Sequence, residues 1–139
     1  MQLFQVKYNC NSCHHVEEVT MTPRLQTSGL QENYTDNGLG VITKDTRDNG
    51  KFLVPSLRNV ELTAPYMHDG SLATLEKVVQ HYSDGIANHP SLHPELKDEN
   101  GNPKKMNIPG DEVDAIVAFL KTLTDKSIHH RFEVFHPFQ

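Results

Sequence analysis

Two stretches of this chain carry apolar residues at the spacing of an amphipathic helix. Leu75, Val78, Val79 and Tyr82 recur at i, i+3, i+4 and i+7, one face of a 3.6-residue period, and predict a helix over 71–83. Ser71 or Thr74 supplies its cap, and Glu76 suits the positive N-terminal end. Val113, Ile116, Val117, Leu120 and Leu123 make a second stripe and predict a last helix from Gly110 to Leu123. Asp111, Glu112 and Asp114 fall in its first turn and Lys121 in its last, as the helix dipole favours. A shorter signal opens the chain: Leu3, Phe4, Val6 and Tyr8 give an apolar side to a short helix within 1–15. Phe4 and Tyr8 lie four apart and share a face, for packing on a cofactor edge or on the last helix.

Elsewhere the period fails. From Val16 to Asn49 the turn signals Asp36-Asn37-Gly38, Gly40 and Asp48-Asn49-Gly50 predict a long irregular connection, a length that is uncommon in loops without a function. Lys51 to Gly70 is apolar at Leu53, Val54, Leu57, Val60 and Leu62 but broken by Pro55 and Pro65, so it reads as buried and irregular. Ser83 to Pro109 is a second polar loop in which His89 and His93 read as solvated residues and not as metal ligands. The tail 126–139, with His129, His130, Phe132, Phe135 and Phe138, is too aromatic for free coil and is expected to fold back or to pack on another domain.

Composition narrows the class. A chain of 139 residues fits one domain. Only 36% of its residues are hydrophobic and none is Trp, so protein alone makes a thin core, and a buried prosthetic group would supply apolar volume. The net charge of −5, with no basic run, argues against nucleic acid as a partner. No stretch approaches the ~20 apolar residues of a membrane span.

The candidate chemistry is concentrated in Cys10-Asn11-Ser12-Cys13-His14, which holds both cysteines of the chain. On one helical turn, i, i+3 and i+4 share a face, so two thiols and an imidazole address one object. That object reads as a c-type haem, with thioethers from Cys10 and Cys13 and the His14 imidazole on the iron. A structural zinc site would need a distant fourth ligand. A thioredoxin-like pair would need a βαβ context that is absent, and two plain buried cysteines would leave His14 unexplained. Arg58 could pair a haem propionate bidentately or form a surface salt bridge. For the second axial position Met67, His81 and Tyr82 compete: a thioether favours ferrous iron, a phenolate the ferric state. Haem attachment is typically completed outside the bacterial cytoplasm, which implies a periplasmic protein. The start MQLFQVKYNC has no export signal, so a longer protein is expected to precede Met1.

With that motif, Val54-Pro55-Ser56-Leu57-Arg58-Asn59-Val60, Thr63-Ala64-Pro65-Tyr66-Met67-His68-Asp69-Gly70, Thr74-Leu75-Glu76-Lys77-Val78-Val79 and the ending Ile116 to Asp125 resemble the C-terminal haem domain of bacterial dihaem cytochrome c peroxidases and their MauG-type relatives. The resemblance implies a mainly α, cytochrome c-like haem domain over 1–125, with few helices and long irregular loops, first and last helices crossing near the haem, and a tail at 126–139. It implies a haem c electron-transfer domain of an oxidoreductase that reduces hydrogen peroxide at a second haem in an N-terminal half, with a small redox protein as electron donor. The alternative is a stand-alone monohaem cytochrome c, a carrier and not an enzyme. In the family the distal methionine follows the His-Asp-Gly turn by fourteen residues; counted from His68 that position is Tyr82, and MauG-type relatives are similar in placing a tyrosine there. The resemblance also implies a calcium ion between the two haem domains, on backbone carbonyls of Thr63 and Pro65, and makes His68 an interdomain contact.

Overall fold

A computed structural model describes residues 1–14 and 24–127; the aromatic part of the tail and the start of the first loop lie outside them. Two helices dominate, α2 (Leu75–Asp84) and α3 (Gly110–Lys121), preceded by a short α1 (Leu39–Thr43). Strands β1 (Leu25–Gln26) and β2 (Phe52–Leu53) pair antiparallel, Leu25 opposite Leu53 and Gln26 opposite Phe52. Short helical turns at Leu3–Lys7, Cys10–Ser12, Thr46–Asp48, Val60–Leu62 and Pro94–Leu96 punctuate long loops. The architecture therefore has few helices, as expected, together with a small sheet and a short α1 inside a connection read as wholly irregular.

The core forms where the two stripes meet. Leu75 and Val79 from α2 pack against Val113, Ile116, Val117 and Leu120 from α3, with Phe4 and Ile108 completing the cluster. Burying each such side chain is worth about 1.5–3 kcal/mol. The predicted start of α2 moves from 71 to 75 because Thr74, in extended backbone, caps it by accepting from the Lys77 amide at 3.3 Å. The residues before it are used elsewhere: Ser71 N–H donates to Asp69 and Leu72 bridges to Tyr66. Ser83, fully buried at the far end of α2, accepts from the Ile108 amide at 2.8 Å and fastens the second loop to the core.

The single helix expected over 1–15 is replaced by two short turns. A wide turn at Leu3–Lys7 closes through Tyr8 N–H to Leu3 C=O at 2.9 Å. Asn9 then takes left-handed backbone (φ 52°) and breaks the helix before the Cys10–Ser12 turn, a conformation that asparagine tolerates. Phe4 and Tyr8 both go to the last helix. The Phe4 ring lies 5.3 Å from that of Phe119, and the Tyr8 hydroxyl donates to Glu112 at 2.5 Å beside Lys7 Nζ at 2.6 Å.

Two expectations of burial fail. In 51–70, Leu53 and Leu62 are 45% and 43% exposed and Thr63 to Pro65 lie on the surface, while Leu57, Val60 and Tyr66 are half-buried. This segment satisfies its backbone locally, through Val60 N–H to Leu57 C=O, Leu62 N–H to Asn59 C=O and Tyr66 Oη to Val60 C=O, so it does not need the interior. Conversely His89, read as solvated, is buried, edge-on to Tyr34 at 5.1 Å and accepting at Nδ1 from the Ser91 amide. His93 is half-buried and caps Pro94–Leu96 through Nδ1. Among the described residues no helix is long and apolar enough to cross a membrane.

Candidate haem-binding site

The motif is a single tight turn. Cys13 and His14 amides both donate to Cys10 C=O, at 3.3 and 3.0 Å, which brings two thiols and the imidazole onto one turn as the spacing predicts. Ser12 Oγ donates back to Asn9 C=O, and Arg24 Nη1 holds Ser12 C=O from the next segment at 2.9 Å. Both cysteines are half-buried and form no disulfide; Cys10 Sγ donates to Tyr8 C=O and Cys13 Sγ accepts from Ser12 Oγ, each at 3.9 Å. Burial first, and the neighbouring Cys13 charge second, push the Cys10 thiol up to about 11, so it is protonated at neutral pH.

His14 Nδ1 lies 3.1 Å from the Pro55 carbonyl. A carbonyl only accepts, so this nitrogen carries the proton and the lone pair is on Nε2, the tautomer suited to binding a metal through Nε2. Pro55 lies beyond the end of β2 (Phe52–Leu53), and its carbonyl fixes the ring.

On α2 the competing side chains separate. His81 is buried with Nε2 donating to Ser28 C=O at 3.1 Å, and desolvation keeps it neutral. Its neighbour Tyr82, whose ring meets that of His81 edge-on at 5.0 Å, is half-buried. Its phenol is raised far above the ordinary value, by burial first, then by the charges of Cys13, Cys10 and Tyr34. Tyr82 therefore lies within electrostatic reach of both motif thiols, and no hydrogen bond to a described residue claims its hydroxyl. Met67 sits in a tight turn with left-handed backbone (φ 71°); no hydrogen bond or ring contact among the described residues ties it to the motif.

The remaining candidates are on the surface. Arg58 is exposed and forms no ion pair among the described residues. Thr63 and Pro65 flank the exposed cis Ala64–Pro65 bond, and among the described residues no group of three or more His, Cys, Asp or Glu side chains is placed to hold a metal ion. His68 stacks on Phe52 with ring centroids 4.0 Å apart and 17° between planes, and touches Tyr34 at 5.5 Å. Sequence reading missed Pro55, Ser28 and Tyr34, whose roles depend on partners remote in the chain.

The donor set fits a c-type haem: two thiols free of a disulfide on one turn, an imidazole with its lone pair fixed at Nε2, and a phenol without a hydrogen bond to a described residue. Thr27, in the segment between Arg24 and Ser28, adds a fully buried hydroxyl with no hydrogen-bond partner among the described residues. No protein-family model matches the chain. Individual relatives do. Cytochrome-c peroxidase IdrP2 of Denitromonas iodatirespirans is 38% identical over 115 residues, covering 80% of this chain and 28% of that protein. Methylamine utilization protein MauG of Paracoccus denitrificans is 34% identical, covering 87% of this chain and 40% of its own length. Cytochrome c551 peroxidase of Nitrosomonas europaea is 33% identical, covering 92% and 34%. The crystal structure of a MauG-like protein associated with microbial copper homeostasis superposes with a TM-score of 0.70 at 37% identity, covering 91% of this chain and 46% of that one. The chain thus spans less than half the length of each of these proteins. Over most of its own length, the chain belongs to the family of the cytochrome c peroxidases and MauG, whose members imply a c-type haem.

Proposed function

We propose that the chain is a mainly α, cytochrome c-like electron-transfer unit of a periplasmic peroxidase-family oxidoreductase, in which Cys10 and Cys13 would attach haem c and His14 and Tyr82 would hold its iron. When bound, the haem supplies an iron that exchanges one electron between its ferric and ferrous states. Cys10 and Cys13 would hold the porphyrin through thioethers, each thiol giving its sulfur to one vinyl carbon and its proton to the adjacent carbon, with no change in electron count. His14, oriented by Pro55, keeps Nε2 as the donor, and His81 holds α2 to Ser28 without competing. A phenolate favours ferric iron, which suits storage and relay of oxidising equivalents.

Peroxide reduction belongs, in this reading, to a second haem in the remainder of a longer protein, supplied by a small redox protein. The exposed face carrying Thr63, Pro65 and His68 is where that half, and a bridging calcium ion on backbone carbonyls, would meet this one. A stand-alone monohaem carrier would use the same site, and a further Cys-x-x-Cys-His in the same polypeptide separates the two. The observation that carries the proposal is the Tyr82 hydroxyl, which no hydrogen bond to a described residue claims, next to a His81 whose Nε2 is tied to Ser28. In haem-loaded protein, Tyr82→Phe is expected to change the low-spin ferric spectrum and Met67→Leu to leave it intact. The reverse result would move the ligand to Met67.

A further inference from the structure

Among the described residues, Thr27 Oγ1 is the one buried side-chain polar atom without a hydrogen bond. The other buried polar side chains are paired. His81 Nε2 donates to the Ser28 carbonyl at 3.1 Å, Ser83 Oγ accepts from the Ile108 amide at 2.8 Å, and His89 Nδ1 accepts from the Ser91 amide at 3.1 Å. A fully buried hydroxyl left without a partner is costly, and folded interiors nearly always supply one.

The ties on either side of Thr27 point to where that partner belongs. At one end of the 24–28 segment, Arg24 Nη1 donates to the Ser12 carbonyl of the motif turn at 2.9 Å. The Arg24 carbonyl accepts from the Val54 amide at 2.8 Å, next to the Pro55 whose carbonyl holds His14 at 3.1 Å. At the other end, the Ser28 carbonyl holds His81 on α2. The segment therefore runs from the turn that would attach the haem to the helix that would face it, and Thr27 lies between the two ties. Apart from its iron, a haem offers hydrogen-bonding groups only at its two propionate carboxylates.

We propose that the Thr27 hydroxyl donates to one of these carboxylates and so positions the porphyrin between the motif turn and α2. A hydroxyl bonded to an ionised carboxylate makes a charge-assisted bond, stronger than a neutral one. Arg58, expected from its sequence context to pair a propionate, lies on the surface. Thr27 meets the carboxylate inside the protein, where low dielectric strengthens the bond. The inference rests on the haem reading above, but not on which side chain takes the second axial position.

The test is resonance Raman spectroscopy of the ferric, haem-loaded chain, read at the propionate bending band, which moves to higher frequency when the carboxylate accepts a hydrogen bond. Thr27→Val keeps the side-chain shape without the hydroxyl and should lower that band. Thr27→Ser keeps the donor and should leave the band where it stands in the unaltered protein. A band unmoved by Thr27→Val would overturn the inference, placing the partner in the protein or in an ordered water, and so would equal lowering by Thr27→Ser. A shift confined to the tyrosinate bands of an axial phenolate would overturn it as well, with Tyr82 as the partner. If Thr27→Val does not fold around haem, Thr27→Ala takes its place, a lowered band supporting the contact and an unchanged one overturning it. Colour that passes into acid-acetone from the unaltered chain would defeat the haem reading itself, whereas an unmoved band in a chain that keeps its colour defeats the role of Thr27 alone.

Discussion

The α2–α3 side of the molecule and the 24–60 side are held by different physics. On the first, eight buried apolar residues meet one another, and the hydrophobic effect fixes the packing without further help. On the second, exposed apolar side chains such as Leu25, Leu53, Val41 and Ile42 show that little core is formed. That side is tied by the Arg24 guanidinium as donor, by the Ser28 and Pro55 carbonyls as acceptors, and by the rings of Tyr34, Phe52, His68 and His89. The difference teaches where the cofactor matters: the helical side is a scaffold that presents His81 and Tyr82, and the irregular side is a wrapping whose polar anchors aim at the motif and at α2.

Replacing the same residue type on each side sharpens the contrast. Phe4 is 4% exposed in the core, and Phe4→Ala should cost about 3–5 kcal/mol in chemical unfolding of the haem-loaded chain. Phe52 is only half-buried and stacks on His68, so Phe52→Ala should cost clearly less. Equal losses would break the division into scaffold and wrapping. The smallest effect concerns the clasp between the first turn and α3. Lys7 first, and Tyr8 second, hold the Glu112 carboxyl below its usual value of 4.5. The ionised carboxylate therefore stabilises the fold above that value, and the gain disappears as pH falls through the lower folded value. Glu112→Gln should flatten this acid limb of the Tm against pH curve and leave its neutral shape unchanged.

What was legible in the sequence follows the same division. The stripes of α2 and α3 could be read because helical burial repeats every 3.6 residues, and the Cys10, Cys13 and His14 cluster because its geometry is local to one turn. The break at Asn9 could not, since a left-handed residue leaves no mark on the apolar pattern. Burial over 51–70 was overestimated because apolar composition says nothing of local hydrogen bonding. His89 was misplaced because the ring that covers it, Tyr34, lies far away in the chain. The Pro55 carbonyl is 41 residues from His14, a distance over which spacing carries no information, and the choice of Tyr82 among the three axial candidates rests on the family resemblance.

The most direct measurement of the central claim is the colour of the chain after acid-acetone extraction, once it has been produced with haem c maturation in an exporting host. Thioethers at Cys10 and Cys13 predict that the Soret absorbance stays with the polypeptide, and that replacing both cysteines with serine releases it. Passage of the colour into the organic phase from the unaltered chain, or a folded product with no iron, would contradict the account.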